Sequence, residues 1–95
     1  MLIEAPYKNG DTVSVKTVAG EEIVARLVDE NGETLTVTKP MALTATQQGI
    51  GMVPFSFTVS PDSKLSLNKN TLVFIAKTDE NTAKQYIEST TNIKL

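Results

Sequence analysis

Three short runs of alternating apolar and polar residues lie close together in the first half of the chain. They are Val13-Ser14-Val15, Ile23 to Val28, and Leu35-Thr36-Val37. A period of two sends successive side chains to opposite faces of an extended backbone, so each run predicts a β-strand. Turn residues separate them, Ala19-Gly20 in the first gap and Asn31-Gly32 in the second. Asn-Gly between alternating runs predicts a two-residue hairpin of type I′, because both central positions need positive φ and these residues tolerate it best. The stretch from Thr12 to Val37 therefore predicts a three-stranded antiparallel meander that the rest of the chain covers or extends.

The faces of these strands differ. Ile23, Ala25 and Leu27 share one side of the second strand, while Val24, Arg26 and Val28 share the other. Apolar residues on both sides predict a strand covered, at least in part, from two directions. In the third strand Leu35 and Val37 point one way and Thr34, Thr36 and Thr38 the other, which suits a half-exposed strand. Lys39-Pro40 then predicts an interruption of the ladder, since proline has no N–H to donate. Met41 to Gly49 shows no clear period, and its Gln47-Gln48-Gly49 end fits a loop or a bend in a long strand.

The most apolar run is Gly49 to Ser60. Val53, Phe55, Phe57 and Val59 alternate on one face, with Ile50, Met52 and Pro54 on the other. Pro54 confines this strand to an edge or a bulge, and an edge strand apolar on both faces invites pairing with another chain. Beyond a turn at Ser60-Pro61-Asp62-Ser63 comes a short strand, Lys64 to Leu67, then a turn at Asn68-Lys69-Asn70. Thr71 to Lys77 predicts a last strand, with Leu72, Phe74 and Ala76 on one side and Val73 and Ile75 on the other. Thr78-Asp79-Glu80 has the marks of a helix start, with Thr or Asp as N-cap and acids set against the dipole. Ala83, Tyr86 and Ile87 form a stripe that docks such a helix on the sheet. The first eleven residues are too punctuated by Pro6 and Gly10 for a helix, and read as an arm whose Leu2, Ile3 and Tyr7 pack on the sheet. One domain over 1–95 is expected: an arm at 1–11, a β body at 12–77 and a helix at 78–91.

Composition narrows the function classes. A chain of 95 residues buries only about 60–65% of the surface its unfolded form exposes, so a second copy or a partner would add useful burial. There is no cysteine and no histidine, which removes disulfides, thiolate metal sites and the commonest general base. Glu21-Glu22 and Asp29-Glu30 sit at turns, where acids are solvated, and no phosphate loop, dinucleotide fingerprint or serine elbow occurs. Neither catalysis nor a cofactor nor a metal is expected. No apolar run approaches the ~20 residues of a membrane span and the N-terminus lacks a basic-then-apolar leader, so a cytoplasmic protein away from membranes is expected. Nine basic against eleven acidic residues give a net charge of −2 with the lysines scattered. Duplex binding by phosphate neutralisation is thereby disfavoured, while a pore collecting one lysine from each of several subunits stays open.

Val13-x-Val15-Lys16, then Gly20-x-x-Ile23-x-Ala25-x-Leu27, a turn, and Leu35-x-Val37 resemble the first motif of the Sm-like (Sm/LSm/Hfq) family. Leu72-Val73-Phe74-Ile75 is similar to the strand that opens the second. The resemblance implies an all-β fold, a small, strongly bent five-stranded antiparallel barrel, here with a short C-terminal helix. It also implies a homo-oligomeric ring of about five to seven subunits, in which the fourth strand of one copy pairs with the last strand of the next. Ile50, Met52, Val53, Phe55, Phe57, Val73 and Ile75 would then lie at the subunit interface. Asn31, Thr34 and Lys77 would be the residues offered to single-stranded RNA. The chain departs from the family in placing its helix at the C-terminus, in Thr34 where an Asn is usual, and in Ala76-Lys77 where Arg-Gly or Lys-Gly is usual. A divergent member of phage or bacterial type fits these departures. Two functions follow: a ring binding single-stranded RNA, or a structural or adaptor ring, such as a phage-type assembly component, without nucleic acid.

Overall fold

The alternating runs become strands. In the computed structural model, which describes residues 7–91, they are β1 (Thr12–Thr17), β2 (Glu22–Glu30) and β3 (Thr34–Thr46). They pair antiparallel, with Val15 opposite Ile23 and Leu27 opposite Val37. β4 (Gly49–Pro54) returns along the second half of β3, β5 (Leu65–Asn68) lies on its first half, and β6 (Leu72–Lys77) pairs with β1. The sheet order is β4-β3-β2-β1-β6, with β5 also on β3. The sheet is strongly bent without closing; β4 and β6 end the strand order, and β5 pairs with β3 alone. Leu2 and Ile3 lie outside the described residues.

The count of six strands rather than five has a simple origin. Between the pairs Val37–Leu65 and Met41–Pro54, β3 has three residues, Thr38, Lys39 and Pro40, whereas the facing chain has ten, 55–64. The fourth strand is split by this excursion. Gly49 to Ser60 is thus not one strand: ladder pairing ends at Pro54, whose ring supplies no donor to continue it.

Both faces of β2 are buried, as its alternation requires. On the inner face Val13, Val15, Ile23, Ala25, Leu27, Leu35 and Val37 form the main core, with Tyr7, Phe55, Leu65, Leu67, Leu72 and Ile75 packed around it. On the outer face Val24, Met41 and Tyr86 form a second cluster, flanked by Leu43 and Met52. Helix α1 (Glu80–Thr91) covers that second cluster. Asp79 is its N-cap: the carboxylate accepts the amides of Asn81 and Thr82 and the Thr82 hydroxyl. Ile87 does not dock; it is exposed, and the buried helix residues are Tyr86 and Thr90. Thr90 satisfies its hydroxyl on the Tyr86 carbonyl, so a polar side chain can occupy the buried stripe without a penalty.

Two further expectations are corrected and one is met. Among the described residues positive φ occurs only at Gly10, Gly20, Gly49 and Lys39, so the Asn31-Gly32 hairpin is not type I′. Instead the Asn31 Oδ1 accepts the amides of Glu33 and Thr34, each at 2.8 Å, and the Asn31 amide donates to Thr34 O. A side-chain acceptor closes the loop in place of left-handed backbone. Secondly, the ladder breaks at Lys39-Pro40 as expected, and the strand bends there and continues to Thr46. The register with β2 shifts between Val24 and Arg26, and the proline falls where the ladder is already broken. Thirdly, a register shift at Lys16/Thr17 re-phases β6. Leu72 and Ile75 both reach the inner core, while Val73 and Phe74 are exposed.

The bend at Lys39 is held from every side. Its φ of 52° is a left-handed conformation that costs a non-glycine residue about 1–2 kcal/mol. The Lys39 amide donates to Pro61 O at 2.8 Å, and the Phe55 amide donates to Pro40 O at 3.0 Å. From the helix, the Tyr86 hydroxyl donates to Lys39 O at 2.7 Å, with Thr38 O at 3.4 Å. The hydroxyl thus ties the helix to the β3 backbone where its ladder with β2 is broken.

Tyr86→Phe should cost about 1–3 kcal/mol, since it leaves buried backbone groups without a partner. Burial pushes the Tyr86 phenol up to about 12. A group raised in the folded state contributes fully below its unfolded value, near 10, and its contribution falls as pH rises from there, by about 1.4 kcal/mol per unit. Urea denaturation of the wild type and Tyr86→Phe at about pH 8, 10 and 11.5 should show the gap between them shrinking at alkaline pH.

Candidate functional site

The β2–β3 hairpin meets the turn between β5 and β6. Thr34 faces Asn68, and the Lys69 amide donates to Glu33 O at 2.9 Å. Asn68 shapes that turn by accepting the Asn70 amide at 3.0 Å on its side chain and the Thr71 hydroxyl at 2.7 Å on its carbonyl. At the base of the cluster the half-buried Glu30 carboxylate accepts the Tyr7 hydroxyl at 2.9 Å and pairs with Lys69 Nζ at 2.6 Å. One carboxylate thus joins the N-terminal arm, the hairpin and the turn. The Lys69 ammonium, more than the Tyr7 hydroxyl, holds Glu30 below the usual carboxylate range. Burial raises the Tyr7 phenol, and the neighbouring Glu30 raises it further.

This cluster contains two of the three residues expected to meet RNA. Asn31 and Thr34 belong to it, although Asn31 Oδ1 is occupied by two backbone amides. Lys77 is elsewhere, at the end of β6 opposite Val13, in the row of Ala25. Six residues of β2 separate that row from Asn31, roughly 20 Å at the rise of a strand. The cation beside Asn31 is Lys69, and it is already paired. Asp29, Glu30 and Glu33 give this hairpin three carboxylates, of which Glu30 holds the Lys69 ammonium. Lys69 was hidden in the sequence because its neighbour is chosen by the register of β5 on β3. The only cue was an Asn-Lys-Asn turn between two short strands.

The second feature is the pair of free edges. On β4, Ile50 (69% exposed) and Val53 face solvent; on β6, Val73 (64%) and Phe74 do the same. Val18 is exposed on the β1–β2 turn beside β6, its amide donating to Thr71 O. Of the other residues expected at an interface, Met52 is half-buried beside the outer cluster, and Phe55 and Ile75 pack against the inner core. Phe57, in the excursion, is 85% exposed. Phe74 was not anticipated, since its outward position follows from the pairing of β6 with β1, which sets it opposite Lys16. A cleft beneath the excursion, lined by Lys39, Pro40, Met41, Pro54, Val59 and Leu65, has a volume of about 30 Å³. That is room for one water and not for an organic ligand.

No family model matches the chain, and no curated protein matches it. Among solved structures it is similar to a heptameric archaeal Sm protein, with a TM-score of 0.52 and 14% identity, covering 75% of this chain and 90% of that one. The fold is therefore Sm-like: a strongly bent, mostly antiparallel sheet, here followed by a short C-terminal helix.

Glu30→Gln should lower stability by about 1–2 kcal/mol, by weakening a half-buried charged contact and the hydrogen bonds around it. A carboxyl held low in the folded state contributes above its ordinary value and loses that contribution as pH falls through the folded one. Melting curves of both proteins should differ near pH 7 and converge near pH 3.

Proposed function

We propose that this chain is the subunit of a homo-oligomeric ring, built by pairing the β4 edge of one copy with the β6 edge of the next. The observation that carries this reading is that one bent sheet has two different free edges, each with exposed apolar side chains. Unlike edges make a head-to-tail contact, and such contacts repeat until they close on themselves. Backbone pairing would also remove the hazard of two open apolar edges. The similar archaeal Sm protein is heptameric, which supports a ring of about five to seven copies here. Covering Ile50 and Val53 against Val73 and Phe74 removes on the order of 400 Å² of apolar surface, about 10 kcal/mol at ~25 cal/mol/Å². Association costs fall in the same range, about 4–15 kcal/mol, so ladder bonds and further contact must supply the surplus.

Within this reading the ring is a structural or adaptor component and not an enzyme. Single-stranded RNA binding in the manner of the Sm-like family would need free cations beside the β2–β3 hairpin, and the one cation there is tied to Glu30. The carboxylates of that hairpin oppose a phosphate backbone further.

Light scattering at micromolar concentration should give the mass of a closed ring. Ile50→Asp and Val73→Asp should each yield monomers that melt as cooperatively as the wild type, because both side chains are exposed in the subunit. A wild-type monomer at every concentration overturns the ring. Fluorescence anisotropy with short oligo-U and oligo-A at low salt should show no binding at tens of micromolar ring. Binding lost on Lys69→Ala or Lys77→Ala would instead establish the RNA-binding ring.

A further inference from the structure

We propose that the excursion 55–64 is a clasp between subunits, with Phe57 seated on the start of β6 in the next copy of the chain; this rests on the ring reading. Three observations lead to it.

The first is how the excursion is held. Its feet are tied to the bend of β3 by the Phe55 amide on Pro40 O and the Lys39 amide on Pro61 O. Its return is a closed turn, with the Ser63 amide on Ser60 O and the Asp62 amide on Ser60 Oγ. Lys39 Nζ lies 3.9 Å from the Asp62 carboxylate. Phe55 already occupies the place against the inner core. Phe57, two residues on, is presented outward on anchored backbone with 85% of its surface in water.

The second is position. The excursion leaves β4 at Pro54, on the free edge itself, so a strand paired with β4 must pass beside it. Any copy added at that edge meets Phe57 without a change in the subunit.

The third is the match in chemistry and area. The start of β6 gathers exposed Val73 and Phe74 with Val18 beside them, whereas its far end has Ala76 and Lys77. An apolar clasp fits the first end and not the second. Stable contacts commonly cover about 800 Å² per partner, and a strand edge of six residues, ~20 Å long, covers only part of that. An aromatic ring such as that of Phe57 adds about 150–250 Å². An exposed aromatic at the margin of an incomplete contact is therefore accounted for by a second copy of this chain.

The chain has no cysteine, so engineered pairs report cleanly. Phe57→Cys combined with Val73→Cys, oxidised in the assembled full-length protein, should give a ladder of covalent multimers up to ring size on a non-reducing gel. Phe57→Cys combined with Lys77→Cys should give none. Phe57→Ser should make the ring dissociate at a concentration roughly tenfold higher, as for truncation of an interface aromatic, with the melting of the isolated subunit unchanged. A ring of full mass without the first ladder overturns the clasp and leaves the ring standing. So does a gel dominated by dimers of Phe57→Cys alone, which would place Phe57 between stacked rings. A monomeric wild type overturns the ring and the clasp together.

Discussion

A single buried hydroxyl connects the helix, the sheet and the bend on which the fold turns. The Tyr86 hydroxyl sits where the ladder between β2 and β3 is broken, donating to Lys39 O. Backbone groups left unpaired in that gap would each carry a desolvation cost, and the strained φ of Lys39 adds its own. Hydrogen bonds from Tyr86, from Phe55 to Pro40 and from Lys39 to Pro61 offset both. α1 is therefore part of the sheet's hydrogen-bond system as well as a lid over Val24 and Met41.

The bend has a consequence at the other side of β3. A strand that turns sharply cannot be followed by an uninterrupted partner, and the facing chain leaves the ladder at Pro54 and rejoins it at Leu65. What would have been one long strand becomes two short ones with an anchored excursion between them. The excursion places its aromatic beside an open edge, and the opposite edge, β6, has its own exposed apolar residues. Both ends of the strand order thus present apolar side chains to solvent.

In the loop cluster a charged contact does structural work. Lys69 is beside the β2–β3 hairpin, and its ammonium is held at 2.6 Å by Glu30. The Tyr7 hydroxyl completes that arrangement from the N-terminal arm. The cluster ties three segments of the chain together, and its cation serves that tie. A scaffold can keep the geometry of a binding fold while its loops take up structural work.

The strands β1, β2, β5 and β6, the partial covering of the second face of β2, the threonine face of β3, the edge position of Pro54 and a helix start at Thr78 or Asp79 were legible in the sequence. Each is a local matter of side-chain period, missing donors or capping oxygens. The pattern of Gly20, Ile23, Ala25, Leu27, Leu35 and Val37 also pointed to the Sm-like fold. What tertiary structure alone decided was register. Pairing with Lys16 set Phe74 outward, and one shifted residue beyond it turned Leu72 to the core side with Ile75, because a period of two converts a slip of one residue into a change of face. The pairing of β5 with β3 brought Lys69, and not Lys77, to Asn31. Likewise, the passage of β3 through Lys39 and Pro40 depended on partners distant in sequence, Pro61, Phe55 and Tyr86. A local pattern shows that proline breaks a ladder; it cannot show that a helix some 45 residues on will supply the missing bond.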